Sequence, residues 1–218
     1  MTTTSDYTSL DLSRELGVAR ETVSRLSTYV DLLWERNQQL NLVAESTLPQ
    51  VWHRHILDSA QLVPLVPEDA RTIVDLGSGA GFPGMVLAIM LADRPGLCVH
   101  LIESIQKKCR FLEDVAAATG APVKVHWARA ETLPDLKADV VTARALAPLD
   151  KLLGLAFPFF RDGTIGLFLK GKSLPAELTL ATKSWTLDST SIPSRSDPSG
   201  TVLRVTGLSP WRKPKKPS

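Results

Sequence analysis

Thr72-Ile-Val-Asp-Leu-Gly-Ser-Gly-Ala-Gly-Phe-Pro-Gly84 is the stretch on which the fold of this chain turns. A short β-branched run, Thr72–Leu76, enters a cluster of glycines at 77, 79, 81 and 84. Glycine permits positive φ and lets a ligand approach the backbone with no Cβ in the way. A helix-like run, Met85–Leu91, follows. A strand feeding a glycine turn and then a helix is the opening of an α/β sheet, whose ligand crevice lies beyond the carboxyl ends of the strands. Nineteen residues after Gly84 stands Glu103, at the end of the hydrophobic run Leu97–Ile102. An acid at the end of a second strand can accept both hydroxyls of an adenosine ribose.

Two nucleoside classes fit this loop. A dinucleotide fold uses Gly-x-Gly-x-x-Gly. Counted from Gly77, the third glycine falls on Phe82; counted from Gly79, Gly81 and Gly84 complete the pattern, so spacing leaves a dinucleotide open. The difference is Asp75, a carboxylate at the strand end just before the loop. A cationic ligand favours an acid there, and a pyrophosphate does not. Asp75-x-Gly77-x-Gly79-x-Gly81 is the first motif of the S-adenosylmethionine-dependent methyltransferases, whose ligand carries a sulfonium and an amino group.

Outward from the loop the chain alternates. Val123–Trp127, Asp139–Thr142 and Thr164–Lys170 read as strands; Lys107–Thr119, Leu149–Phe160 and Pro175–Thr182 read as helices. Trp185–Asp188 and Val202–Thr206 are candidate last strands, and the Ser/Pro/Gly-rich residues 189–200 between them read as a flexible connection. Alternating elements imply a doubly wound, mostly parallel sheet with right-handed crossovers. Upstream, Val23, Leu26, Val30, Leu33, Trp34 and Leu40 mark one face of a helix, and a second helical segment runs from Leu48 to Val63. We therefore divide the chain into a helical N-terminal extension, 1–67, an α/β domain, 68–210, and a short tail, 211–218.

The chain has 218 residues, 44% hydrophobic and 22% charged, which excludes a largely disordered, collagenous or coiled-coil protein. Its two cysteines, Cys98 and Cys109, are too few for a disulfide framework and read as reduced thiols. The N-terminus lacks a basic start followed by an apolar run, and the longest near-apolar stretch, 84–92, is too short for a membrane span. A cytoplasmic protein without a membrane partner is expected. Net charge is +2, yet Arg212, Lys213, Lys215 and Lys216 crowd the last eight residues. A basic, Pro-spaced tail suits either a phosphate-rich partner or a solubilising role.

Several further motifs resemble one family. VDLGSGAGFPG at 74–84, RHILDS at 54–59, KCRFL at 108–112, RAE at 129–131, RA at 144–145 and LKG at 169–171 are similar to the RsmG family, also called glucose-inhibited division protein B. These are the small-subunit ribosomal RNA guanine-N7 methyltransferases. The resemblance covers roughly residues 35 to 175. It implies a Rossmann-like class I methyltransferase sheet of seven strands behind a helical extension. It implies S-adenosylmethionine contacts at Gly77, Phe82, Ala130, Glu131 and Arg144, beside Asp75, Gly79, Gly81 and Glu103 from the loop itself. It implies as target a guanine in the 530 loop of 16S ribosomal RNA, free or within the small subunit.

Guanine N7 carries a lone pair and no proton, so methyl transfer to it needs no general base, and no nucleophile–base signature is evident. Arg54, His55, Arg144 and Lys170 are candidates to hold RNA phosphate or the target base, and Asp58 to face the cationic product ring. Trp34 and Trp52 are expected to pack in the core rather than stack on RNA. His53 and His55 lack further ligands at metal spacing, so no metal is expected. No obligate protein partner is evident. The alternatives are a small-molecule methyltransferase and, opposed by Asp75, a nicotinamide-dependent oxidoreductase.

Overall fold

A computed structural model describes residues 7–133 and 135–211. Before Thr72 the described chain forms only helices and turns. Helix α1 spans Ser9–Leu16 and α2 spans Arg20–Leu40. Leu26, Tyr29, Val30, Leu33 and Asn37 form the buried stripe of α2, the three- and four-residue spacing of one helical face. Asn41 ends it in the left-handed conformation, and the Asn37 side chain accepts the Val43 amide at 2.8 Å. A 3-10 segment at Glu45–Gln50, a π-helical turn at Trp52–Leu57 and the short α3, Asp58–Ala60, then carry the Arg-His-Ile-Leu-Asp-Ser motif. Trp52 packs partly buried against the core, but Trp34 is 46% exposed, contrary to expectation: it sits beside the buried stripe of α2 rather than on it.

Seven strands follow among the described residues: β1 Thr72–Leu76, β2 Cys98–Glu103, β3 Val123–Trp127, β4 Val140–Arg144, β5 Ile165–Lys170, β6 Trp185–Pro193 and β7 Thr201–Pro210. Their order is β3-β2-β1-β4-β5-β7-β6. The first five pair in parallel, while β7 runs antiparallel between β5 and β6. Helices α4, Gly84–Met90, and α5, Gln106–Thr119, join α2 on one face. Helices α6, Leu149–Ala156, and α7, Leu174–Ala181, cover the other.

Strand alternation sorts the core. Ile73, Leu101, Val140 and Leu167 pack with α2, α4 and α5, whereas Val74, Leu76, Val141 and Phe168 pack with α6 and α7. Leu12, Leu26 and Leu33 of the extension belong to the same buried cluster as Ile73 and Val99 of the sheet, so the helical cap and the sheet share one core.

The Ser/Pro/Gly-rich segment departs from expectation. Residues up to Pro193 extend β6 along β7, and residues 194–200 form a turn docked on the cap. β6 is an edge strand with little burial, so polar side chains are compatible with pairing there, and composition alone reads as loop. No helix among the described residues is long and apolar enough to cross a membrane.

Candidate active site at the carboxyl edge of the sheet

β1 delivers Asp75 to the centre of the sheet, between Leu101 of β2 and Thr142 of β4. The side chain shares its face with Ile73 and is fully buried. Thr142 Oγ1 donates to Oδ1 at 2.7 Å, while Oδ2 has no partner; the Ser78 side chain and the Gly84 amide stand nearby without closing on it. Desolvation drives the Asp75 pKa up to about 6, against the hydrogen bonds and the Arg144 charge. A buried carboxylate with an orphaned oxygen suits a donor-rich or cationic ligand above it.

The glycine loop is held from both sides. Glu103 Oε2 accepts the Gly79 amide at 2.9 Å and Oε1 accepts the Ile105 amide at 2.8 Å. Glu103 therefore anchors the loop with the same carboxylate expected to meet a ribose, and its remaining lone pairs are what a ribose could use. From the cap, Tyr29 Oη donates to the Ala80 carbonyl at 2.5 Å. Gly77 sits at φ +64°, and a Cβ there would lie 2.5 Å from Leu146 Cδ1. Above Gly79, by contrast, a Cβ would meet only the Gly77 carbonyl, at 3.8 Å.

Phe82, expected to contact the cofactor, also joins the cap to the sheet. Its ring is 4% exposed and packs against His55 at 5.0 Å, Tyr29 at 5.3 Å and the Arg144 guanidinium at 4.8 Å. The ring thus packs between cap and sheet beside the glycine loop. His55 is likewise neutral and buried, its pKa pushed down to about 3 by desolvation and then by Arg144 and Arg54. Nε2 lies 2.8 Å from Thr47 Oγ1 and Nδ1 is unpartnered. A neutral ring gives phosphate no charge.

Arg144 ends β4 beside this stack. It donates to Asp58 Oδ2 and to the Arg54 carbonyl, each at 3.2 Å. Asp58 Oδ1 accepts Ser196 Oγ at 2.6 Å and Gln61 Nε2 at 3.1 Å. So Asp58 clamps cap, β4 and the β6–β7 turn together while it lines the cleft. Lys170 is also engaged: its Nζ meets Glu177 Oε2 at 2.5 Å and the Ala147 carbonyl at 3.1 Å. Arg54, whose side chain is exposed, is the cation of the four candidates most open to a phosphate.

These residues line a cleft of about 1010 Å³ that includes Arg54, Asp58, Arg144, Leu146, Lys170 and Ser196. Leu146 both lines the cleft and lies over Gly77, so the cleft adjoins the glycine loop. Ala145, at φ +53°, is the left-handed residue that carries the chain to Leu146. Ala130 and Glu131 fall in a 3-10 turn after β3, tethered where the Ala128 amide bonds the Glu103 carbonyl; Glu131 is exposed. Among the described residues no three His, Cys, Asp or Glu side chains cluster to hold a metal. Sequence reasoning missed Tyr29, Gln61, Thr142, Leu146, Glu177 and Ser196. Their common trait is contact across long sequence distances, which periodicity does not register.

Strand order, loop and buried acid together define a Rossmann-like methyltransferase. Solved structures share the fold: the O-methyltransferase TomG from Streptomyces achromogenes, in complex with SAM, superposes with a TM-score of 0.61 at 18% identity over 95% of this chain and 100% of that one. An O-methyltransferase from Bacillus cereus, in complex with SAH, gives 0.57 at 14% identity, covering 82% and 90%. The family model for rRNA small subunit methyltransferase G (GidB) matches residues 22–199. Ribosomal RNA small subunit methyltransferase G of Parvibaculum lavamentivorans is 56% identical over 88% of this chain and 85% of its own length. That of Rhodospirillum centenum is 52% identical over 94% and 93%. The chain belongs to the GidB family of small-subunit ribosomal RNA methyltransferases.

Proposed function

We propose that this chain transfers a methyl group from S-adenosylmethionine to N7 of a guanine in the 530 loop of 16S ribosomal RNA. The observation that carries the cofactor assignment is the buried Asp75 carboxylate with one oxygen unpartnered at the foot of a glycine loop that has free space above Gly79. Family membership supports the ribosomal RNA substrate. A ribosomal RNA substrate supports a cytoplasmic site of action. We read the helical extension, 1–67, and the methyltransferase domain, 68–210, as acting together, supported by the core that the extension's described residues share with the sheet; of the basic tail, 211–218, all but Trp211 lies outside the described residues.

Gly77, Gly79 and Gly81 would let the cofactor reach the loop backbone, with Asp75 beneath and Glu103, Ala130 and Glu131 toward its nucleoside. When bound, the cofactor supplies a sulfonium-activated methyl group. This chain then has a single task, to fix the target base. N7 has no proton to remove, so the site requires no general base, and alignment can supply up to about 7–11 kcal/mol of the barrier. Arg144, held by Asp58 over Phe82, and Arg54 present cationic donors to guanine O6 or to flanking phosphates. Lys170, neutralised by Glu177, holds the 145–148 loop instead. The target base must leave its stack to present N7 in line, and the cleft beside Leu146 has the volume to receive it.

Tritium transfer from labelled S-adenosylmethionine to 16S ribosomal RNA, free and within small subunits, with N7-specific strand cleavage, tests this reading. One labelled guanine in the 530 loop is expected. Label absent from N7 overturns it.

A further inference from the structure

We infer that Tyr29, on the helical extension, is a positioning residue for the cofactor loop, and that the extension thereby sets cofactor affinity. This rests on the reading that the glycine loop holds S-adenosylmethionine.

Tyr29 lies on the buried stripe of α2 and is fully buried itself. Its hydroxyl donates to the Ala80 carbonyl across 51 residues of sequence. On the other side of the same short segment, Glu103 accepts the Gly79 amide. Two adjacent residues of the loop are thus gripped from opposite elements, one from the sheet and one from the cap. The fit is close: a Cβ on Gly81, at φ +103°, would lie 2.8 Å from the Tyr29 hydroxyl. The ring itself packs on Phe82 and Phe111, which fixes where the hydroxyl points.

The consequence follows from the loop's composition. A run with four glycines in the eight residues 77–84 has many accessible conformations, and glycine forfeits more freedom on ordering than other residues do. A cofactor binds the competent conformer alone, so its apparent Kd rises in inverse proportion to the fraction of loop that holds that shape. Removing the Tyr29 hydroxyl leaves the Ala80 carbonyl buried without a donor. That carbonyl gains by turning toward water, and the competent fraction falls.

Tyr29→Phe removes one oxygen and keeps the ring. Calorimetric titration of wild type and Y29F with S-adenosylmethionine should show Kd raised about tenfold in the variant, the scale of one lost buried hydrogen bond. With both substrates saturating, kcat should stay within about threefold and KM for ribosomal RNA within about twofold, because neither the target cleft nor Arg144 is touched. Equal Kd values for the two proteins overturn the inference, as does a fall in kcat with Kd unchanged. If wild type itself does not bind S-adenosylmethionine, the cofactor reading fails first. Amide hydrogen exchange of the free wild-type protein is a second measurement that does not depend on the variant folding. The Gly79 and Gly81 amides should be protected before any cofactor is added; exchange at the rate of an open chain removes the basis of the inference.

Discussion

Thr142 donates its hydroxyl to one carboxylate oxygen of Asp75 at 2.7 Å and leaves the other oxygen buried and unpaired. The pair sits on neighbouring strands in direct register, at the level where the glycine loop leaves the sheet. One hydrogen bond does not repay the desolvation of a full charge, so the proton is held to about pH 6.

The sign of the resulting pH dependence is fixed. The folded-state pKa of Asp75 lies above its ordinary value of 3.8. The contribution of this group to stability is therefore full below about pH 4 and is lost as pH rises through about 6. The whole effect amounts to roughly 3 kcal/mol. Cofactor binding should run the other way, since a cationic ligand favours the carboxylate. The Kd for S-adenosylmethionine should be flat above pH 7 and weaken by up to about tenfold per unit below pH 6. Asp75→Asn should bind at least about tenfold more weakly at pH 7.5, yet melt no lower than wild type, because a buried charge has gone. Titration calorimetry from pH 5 to 8 measures both; a Kd that ignores pH in wild type would remove Asp75 from the site.

Gly77 separates strain from steric exclusion. Gly77, Gly17 and Gly120 share nearly the same left-handed φ, but a Cβ at 17 or 120 meets nothing within 4 Å, whereas at 77 it strikes Leu146. Gly120→Ala should cost about 1 kcal/mol of backbone strain and leave cofactor binding intact. Gly77→Ala should cost at least as much and also displace Leu146 into the cleft, lowering cofactor affinity and kcat together. Thermal melts with calorimetry check the pair. Equal cofactor affinity in the two variants would mean that the space over Gly77 is not used.

The contrast between Asp75 and Tyr29 shows what the sequence makes legible. Asp75 lies within a contiguous strand–glycine–helix pattern, and β1 falls at Thr72–Leu76 as read. The alternating elements from Leu97 to Ala181 are placed to within a few residues for the same reason: period-2 and period-3.6 patterns are local. Tyr29, Glu177 and Ser196 act at a distance, each bonding an atom whose position depends on the assembled fold. Ser196 lies in a stretch whose composition resembles a linker. What makes it ordered is Asp58, 138 residues away. Phe82 and His55 were visible in motifs, but only packing shows that each ring faces the other, and that burial leaves His55 neutral.

Asp58 to Asn tests the clamp. The carboxylate takes three donors, from Arg144, Gln61 and Ser196, and an amide offers one oxygen and turns a donor toward the others. Loss of charge-assisted bonds in this partly buried setting should cost roughly 1.5–3 kcal/mol. Arg144 loses its counter-ion and its fixed direction, so the single-turnover methylation rate should fall at least about tenfold, as misplacement of an aligning group does. Cofactor Kd should change by less than about threefold, since the glycine loop is held independently by Glu103 and Tyr29. An unchanged single-turnover rate together with unchanged RNA affinity would dismiss Asp58.

Glu177 should matter through the loop it holds. Oε2 takes both the Lys170 ammonium and the Leu149 amide, and Oε1 takes the Ser173 hydroxyl at 2.6 Å. Lys170 in turn reaches the Ala147 carbonyl. These bonds bracket residues 145–148, where Ala145 adopts a left-handed φ that a free alanine avoids. Desolvation raises the Glu177 pKa, but the bonds from Lys170, Ser173 and Leu149 outweigh it and the net shift is downward. The stabilisation is thus present at neutral pH and lost as acid titrates the group. Glu177→Ala strands Lys170 without its counter-ion and frees the start of α6; kcat should drop about 10- to 100-fold while cofactor Kd holds. Glu177→Gln retains an acceptor for the Leu149 amide but not the charge, and should fall between. If Glu177→Gln matched alanine, the ion pair would be the operative contact; if it matched wild type, the amide bond alone would hold the loop. A kcat at wild-type level in both variants would show that residues 145–148 keep their shape without Glu177.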